Sequence, residues 1–324
     1  MNRIEILLYL HLIINLMGRL KKIIENAIST PNHLPIVLLR IIAPIVPDKL
    51  YLKLMFRLKM GYWMDFANPK TFNEKLQWLK LYNRRPEYTK MVDKFAVKEY
   101  VANLIGEEHI IPTLGVWDRF EDIEFDKLPN QFVLKTTHGG GGGGVVICKD
   151  KSLFDVYAAK KKLEKSMKQC IYQSLREWPY KNVPRRIIAE QYMTDIVSDD
   201  NPYGDLIDYK FYCFDGEVKV CMIATERYSQ TGVCFDYFDK EFNRYPFEQG
   251  GPNSKKRIEK PELLDEMLAV AAKLSAGIPH VRVDLYCVDK QVYFGELTMF
   301  DSSGFAEFNP VEWNYTFGSW IELP

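Results

Sequence analysis

The sequence predicts an α+β fold, and three observations predict it. Two short apolar strands are joined through a run of glycines, Asp215-Gly216 marks a tight hairpin, and a strongly patterned helix leads into a closing strand pair. The 324 residues allow one large domain or two or three smaller ones sharing a cleft. An apolar fraction of 47% with 27% charged residues is that of a globular protein with a real core.

Charge and cysteine usage narrow the field. Lys plus Arg and Asp plus Glu each number 43. The resulting zero formal charge argues against a dedicated nucleic-acid binder, which needs surplus cations to displace counterions from phosphates. The six cysteines form no C-x-x-C pair and no His/Cys cluster at zinc spacing. They read as free, mostly buried thiols in a reducing compartment, which predicts a cytoplasmic protein.

Residues 1–60 form an apolar and basic segment predicted to be helical. Ile4 to Met17 is nearly continuous apolar sequence, followed by Arg19, Lys21 and Lys22. It is short for a membrane span, and its basic cluster lies on the wrong side for a secretory signal. Leu34 to Leu58 is broken by Pro35, Pro44 and Pro47 and dotted with Arg40, Lys49, Lys53 and Arg57. Two readings stay open: peripheral contact with the inner face of a membrane, or helices packed on the catalytic body.

From Asn68 the texture changes. Thr71-Phe72-Asn73-Glu74 fits a capping box, with Leu76, Leu79 and Tyr82 following at helical spacing. A second helix is predicted over Glu87 to Leu104, closing at Gly106, and Ile110-Ile111-Pro112 leads into a connecting stretch. Gln131 to Lys135 reads as a strand that runs into Thr136-Thr137-His138 and six glycines, 139 to 144, before Val145 to Cys148 resumes. That pattern predicts a hairpin with a flexible lid. Lysine-rich 160–168 is a helix with a solvated face. Arg186 to Met193, Ile207 to Phe214 and Glu217 to Thr225 alternate like strands, the last two joined at Asp215-Gly216. Pro261 to Leu274 is the clearest helix, with Gly277 just past its end. Val281 to Val288 and Val292 to Thr298 close the pattern.

The last strand pair carries the sharpest chemistry. Arg282 and Asp284 share a strand face. A three-residue turn at Asp289-Lys290-Gln291 would set Asp284 opposite Glu296 and Arg282 opposite Thr298, whereas a two-residue turn would send Glu296 to the other face. Two carboxylates facing each other call for a cation between them, and Mg²⁺ is commonly held by one or two carboxylates plus nucleotide phosphates. The alternative is an Arg–Asp ion pair with Glu296 exposed.

Several other features are weaker alone. The glycine run matches neither the P-loop nor G-x-G-x-x-G, and reads either as a phosphate cradle (Gly139, Gly140, Gly141) or as a linker. Lys135, ending the preceding strand, is placed to reach the same phosphates. His138 either donates to a phosphate or caps the turn. Ala189-Glu190-Gln191-Tyr192 is a strand end that can face an adenine ring or simply terminate. Asp208-Tyr209-Lys210 reads as a functional pair or an ordinary salt bridge, and Asp93-Lys94 as a functional pair or solvated helix charges. Asp301-Ser302-Ser303-Gly304 offers hydroxyls and amides to a substrate carboxylate, or is a plain turn.

The order of these features resembles that of the ATP-grasp enzymes. Asp93-Lys94, Gly106…Ile111-Pro112, Phe132-Val133-Leu134-Lys135, the glycine-rich lid, Ala189-Glu190-Gln191-Tyr192, Arg282-Val283-Asp284 and Glu296-Leu297-Thr298 follow one another as that superfamily's motifs do. The resemblance is closer to its TupA-like branch, found with bacterial surface-polysaccharide genes. Asn68 to Trp78, Leu128 to Lys135, Asp208-Tyr209-Lys210-Phe211 and Tyr293 to Thr298 look like that branch, over about residue 48 to the C-terminus. Thr298, where the wider superfamily has asparagine, is usual in the branch.

The resemblance implies an ATP-grasp fold of two α+β subdomains clasping ATP, behind the helical N-terminal segment. It divides the chain into 61–130 with the D-K motif, a small subdomain at 131–195 with the lid, and a large one at 196–324 with the metal site. It implies an ATP-dependent, amide-forming ligase that uses ATP and Mg²⁺. Asp284 and Glu296 would be metal ligands and Arg282 and Lys135 catalytic. Lys94, Lys135, His138, Gly139, Gly140, Gly141, Glu190, Tyr192 and Lys210 would touch the nucleotide, and Ser302, Ser303 and Gly304 the substrate. The partners implied are a small-molecule or lipid-linked saccharide carboxylate and an amine, in surface-polysaccharide biosynthesis. A glycosyltransferase is the rival enzyme class, although the chain has no D-x-D triplet; a non-catalytic ATP-binding scaffold is the third reading.

Overall fold

The computed structural model describes residues 33–140, 142–195, 205–226 and 232–324. The Ile4–Met17 run and Gly141 of the glycine loop lie outside the described residues. The chain divides into two compact units, Met1–Met64 and Asp65–Pro324. The described part of the first contains helices α1 (His33–Ile41) and α2 (Asp48–Met60). Pro35 sits in the first turn of α1, where a missing N–H costs nothing, and α2 ends on Gly61 in the left-handed region at φ +80. No helix among the described residues is long and apolar enough to cross a membrane.

The second unit opens with α3 (Phe72–Tyr82), which starts as expected. The Thr71 hydroxyl accepts from the Glu74 amide at 3.2 Å and the Glu74 carboxylate from the Thr71 amide at 3.0 Å. The single helix expected over Glu87 to Leu104 is instead two, α4 (Glu87–Val92) and α5 (Ala96–Ile105). Asp93 breaks it: its backbone is extended, and its carboxylate accepts from the Phe95 and Ala96 amides at 2.9 and 3.3 Å. That is N-cap chemistry, which ends one helix and starts the next.

A four-stranded antiparallel sheet follows, in the order β1-β4-β2-β3. Its strands are β1 (Thr113–Trp117), β2 (Phe132–Thr136), β3 (Val145–Cys148) and β4 (Ile187–Gln191). The expected hairpin across the glycine loop is present, with Lys135 opposite Val145; β1, read as connecting sequence, is an edge strand. Helix α6 (Val156–Met167) covers one face, and α7 (Ile171–Leu175) follows it. Phe120, Leu128, Phe132, Leu134, Leu163 and Ile187 form this sheet's own core.

The larger sheet is five-stranded and antiparallel, ordered β10-β9-β5-β6-β7. It contains β5 (Tyr209–Phe214), β6 (Glu217–Thr225) and β7 (Cys234–Phe238), and then β9 (Val281–Val288) and β10 (Gln291–Thr298). Strand β8 (Glu248–Gln249) pairs with β11 (Phe308–Asn309) as a separate ribbon. Helices α8 (Leu264–Ser275) and α9 (Glu312–Trp320) help bury its core of Phe211, Val220, Val283, Met267 and Phe317. Asp215 and Gly216 both take positive φ, 46 and 83, as a two-residue hairpin turn demands.

The β9–β10 hairpin corrects one expectation and keeps its result. The turn is two residues, Asp289-Lys290, with φ of 50 and 61, and Gln291 pairs with Val288. That register alone would turn Glu296 away from Asp284. The register shifts between Phe294 and Glu296, so that Glu296 lies opposite Asp284 and Thr298 opposite Arg282. Gly295 is the extra residue of a β-bulge, which puts two residues against one and restores the shared face. A Cβ there would lie 2.9 Å from the Asp284 carbonyl oxygen and 3.0 Å from the Tyr286 ring. Only glycine fits without displacing its neighbours.

Candidate nucleotide and metal site

Strand pairing puts Lys210, Asp284 and Glu296 in one row across β5, β9 and β10, with Tyr212, Arg282 and Thr298 in the next. Asp284, almost wholly buried, accepts from Arg282 through both oxygens at 2.7 Å. Lys210 reaches the same carboxylate at 2.5 Å and Asp208 at 2.5 Å. Asp208 and Lys210 form a salt bridge, and that bridge is one part of a larger network. Arg282 also pairs with Asp301 and donates to the Thr298 hydroxyl at 3.2 Å. Thr298 in turn donates to Glu296 at 3.2 Å, so the threonine orients the carboxylate.

Glu296 is the accessible member, with its side chain 40% exposed, and Lys94 binds it at 2.8 Å. The Lys94 ammonium holds the Glu296 carboxyl well below the usual range. Burial opposes the charge on Lys94, yet Glu296 more than offsets it and the lysine's pKa rises. Burial pushes the Asp284 carboxyl up, against the pull of Arg282 and Lys210. Burial likewise works against the Arg282 guanidinium, but Asp284 and Asp301 keep its pKa well above the ordinary value.

On the smaller sheet, Glu190 sits buried between two lysines, Lys98 at 2.6 Å and Lys135 at 2.5 Å. Burial would raise its carboxyl; the two ammonium groups outweigh that and lower it. Lys98 also donates to the Ile111 carbonyl at 2.7 Å and the Thr113 hydroxyl at 2.9 Å. Residues 94–98 thus strap the two sheets: Lys94 reaches Glu296 on one, and Lys98 reaches Glu190 on the other. Asp93 fixes the strap by pairing with Arg186 at 3.0 Å, and the Lys94 amide donates to the Thr137 carbonyl at 3.0 Å. Asp93 and Lys94 are not solvated helix charges; Asp93 is buried at a helix break because it caps and pairs there.

The other predicted residues scatter more. Tyr192 follows β4, with the Lys149 ammonium 5.9 Å from its ring centroid. His138 is buried and faces inward; Nε2 lies 3.2 Å from the Ser166 carbonyl, and Nδ1 has no partner among the described residues. Burial lowers its pKa, against the hydrogen bond to the Ser166 carbonyl. The glycines divide by what surrounds them. A Cβ on Gly139 or Gly144 would fall 2.5 or 2.2 Å from Thr136 Oγ1, whereas one on Gly143 would meet nothing within 4 Å. A Cβ on Gly140 would make only ordinary contact with Ile171, at 3.4 Å.

The 301–304 turn is clamped from behind by α3. Lys80, fully buried, donates to the Ser303 carbonyl at 2.9 Å and its hydroxyl at 2.8 Å. Gln77 donates to the carbonyls of Ser303 and Gly304 at 3.0 Å each, and Asn73 to that of Ala306 at 2.7 Å. The Ser303 hydroxyl is thus committed to the protein, and Ser302 is the exposed serine. Sequence reading missed Lys98 and Lys80, and it gave Asp301 no part in the network beyond the loop it opens. The available signal for Lys98 was its place in the first turn of α5, just after the Asp93-Lys94 pair.

Two antiparallel sheets, strapped through a D-K segment with lysines and carboxylates converging from both, have the architecture of an ATP-grasp protein. The TupA-like ATPgrasp family model matches residues 74–322, and the chain belongs to that family. No curated protein sequence matches the chain. Among solved structures, a D-alanine–D-alanine ligase from Bacillus anthracis is similar at 18% identity and a TM-score of 0.34, over 64% of this chain and 57% of that one. Its Helicobacter pylori counterpart gives 15% and 0.40, over 78% and 69%. The ATP-grasp ligase PsnB, complexed with a minimal precursor, Mg and ADP, gives 12% and 0.37, over 70% and 57%. The chain therefore spans little more than half the length of the first of these.

Proposed function

We propose that the protein is an ATP-dependent, amide-forming carboxylate–amine ligase that works through an acyl phosphate. Its place is the biosynthesis or modification of a bacterial surface polysaccharide. It would act in the cytoplasm, at the inner membrane face where the saccharide is lipid-linked. Family membership supports the class. The observation that carries the reading is the paired placement of Asp284 and Glu296, with Lys94, Lys135 and Lys210 all held on nearby carboxylates.

The donor set fits magnesium. Among the described residues no group of three or more His, Cys, Asp or Glu side chains is arranged to hold a metal. Two carboxylates opposite each other suit an ion that takes one or two from protein and the rest from phosphate and water. Asp284 and Glu296 would hold it, and it would neutralise charge on the β- and γ-phosphates. Lys94 and Lys135 exchange Glu296 and Glu190 for phosphate oxygens, and Lys210 lies beside them. Glu190 and Tyr192 flank the adenine, and Gly139 and Gly140 approach the phosphates.

In the first step a substrate carboxylate oxygen, anchored near Ser302, attacks the γ-phosphorus, and the bond to the β,γ-bridging oxygen breaks to release ADP. Arg282 stabilises the charge that develops. An amine nitrogen then attacks the acyl carbon, inorganic phosphate departs, and the amine loses a proton.

The test is incubation with Mg-ATP and a panel of uronates and amino acids, following phosphate release. Turnover should appear with at least one carboxylate–amine pair and fall by about a thousandfold or more in Glu296→Gln, as when a group acting on the transition state is removed. A folded preparation that binds no ATP and releases no phosphate sinks the reading.

A further inference from the structure

The N-terminal unit presents a surface that the ligase reading does not use. Along α1 and the turn after it, Leu34, Leu38, Ile41 and Ile45 recur at spacings of four, three and four, which is one helical stripe. All four are exposed: Leu38 by 54%, Ile41 by 68% and Ile45 by 83%. Ile42 beside them is exposed as well. Contiguous apolar exposure of this kind marks an interaction surface rather than scattered surface hydrophobes.

The charge on the same unit selects the partner. Along α2, Lys49, Lys53 and Arg57 recur every four residues and all are exposed, making a cationic stripe. Over residues 33–64 the cationic side chains Arg40, Lys49, Lys53, Arg57 and Lys59 face one acidic residue, Asp48. The whole chain has no net formal charge, so this excess is local. Trp63, 56% exposed, lies within 6 Å of both Lys53 and Arg57, at 5.8 and 5.9 Å from ring centroid to cation. An indole beside cations, on a unit that also carries an exposed apolar stripe, is the composition of a headgroup-level anchor. A protein partner of matching chemistry would have to be apolar and acidic at once. A bilayer with anionic headgroups offers both by construction.

We propose that residues 33–63 form a peripheral docking face for anionic lipid, with Leu38, Ile41 and Ile45 entering the headgroup–acyl boundary and Lys49, Lys53 and Arg57 meeting lipid phosphates. The proposal stands apart from the ATP site, so its failure leaves the ligase reading untouched.

The experiment is co-sedimentation of the full chain with phosphatidylcholine vesicles, with and without phosphatidylglycerol. Binding should require the anionic lipid and weaken as salt rises. Lys53→Glu with Arg57→Glu should lower the affinity by about tenfold or more, since each basic residue near the surface strengthens binding about fivefold. Ile41→Asp with Ile45→Asp should abolish it. Both pairs lie on exposed positions, and unchanged thermal melting shows that the variants fold. Equal binding to both vesicle types, or binding that survives both double variants, overturns the proposal. So does absence of binding to either vesicle, and a dimer in sedimentation velocity that Ile41→Asp dissolves would then assign the face to a second copy.

Discussion

The two sides of the ATP-grasp site carry opposite charge excesses. On the smaller sheet two lysines, Lys98 and Lys135, share one carboxylate, Glu190. On the larger sheet four carboxylates, Asp208, Asp284, Glu296 and Asp301, meet three cations, Lys94, Lys210 and Arg282. One side is left with a positive charge and the other with a negative one, which suits phosphate on the first and a divalent cation on the second. The contrast also teaches how the protein tolerates this chemistry without ligands. Each of these lysines is held on a carboxylate, Lys94 on Glu296, Lys98 and Lys135 on Glu190 and Lys210 on Asp284, so no buried charge stands alone.

The sharpest way to break this comparison is to remove a partner on the more buried side. Asp284→Ala would leave Arg282 and Lys210 facing each other, and should lower the unfolding free energy in urea by about 3–5 kcal/mol. Glu190→Ala leaves Lys135, which is part-exposed and rehydrates, and Lys98, which keeps the Ile111 carbonyl and the Thr113 hydroxyl, so its cost should be visibly smaller. Equal losses would mean that the two sides are not energetically distinct.

A second test reads the larger sheet's core through acid. Burial holds His280 down to about 4 from its ordinary 6.5, against Asp301. A base with a depressed pKa contributes stability in full above pH 6.5 and loses it as pH falls through the folded value. The difference in unfolding free energy between wild type and His280→Leu should therefore shift by about 3 kcal/mol in the variant's favour from pH 7 to pH 4. A pH-independent difference would contradict it.

The smallest effect sits at the neck of the glycine loop on the smaller sheet. Gly144→Ala presses a methyl group onto Thr136 and Ser166 and should cost about 1–3 kcal/mol by thermal or urea unfolding. Gly143→Ala has open space and should be near neutral. If both are neutral, the neck is not tightly packed.

Much of this organisation was legible in the residues because local chemistry dictated it. Thr71 and Glu74 announced α3 through capping, Asp215-Gly216 announced a turn of positive φ, and Lys135 sat at a strand end before glycines. What escaped was set by long-range contacts. The periodicity from Glu87 to Leu104 ran through Asp93 because a helix break costs the apolar pattern nothing, and only the carboxylate's capping reach betrays it. Nothing in the local pattern of α3 marks Lys80 as buried. Its burial depends on Ser303, 223 residues away. His138 read either as a phosphate donor or as a turn cap, and its contact with the Ser166 carbonyl, 28 residues away, was not visible in the local pattern.

The bulge at Gly295 has a consequence for comparing this chain with its relatives. Because the extra residue is absorbed locally, counting from the hairpin tip is a false ruler for locating the carboxylate that faces Asp284. Deleting Gly295 would leave Phe294 on Leu285 and Glu296 on Asp284 in a regular ladder, whereas any side chain at that position collides with the backbone of β9. An alignment that forbids a gap there would misplace a motif residue by one and turn it to the wrong side of the sheet. The position is easier to lose than to change.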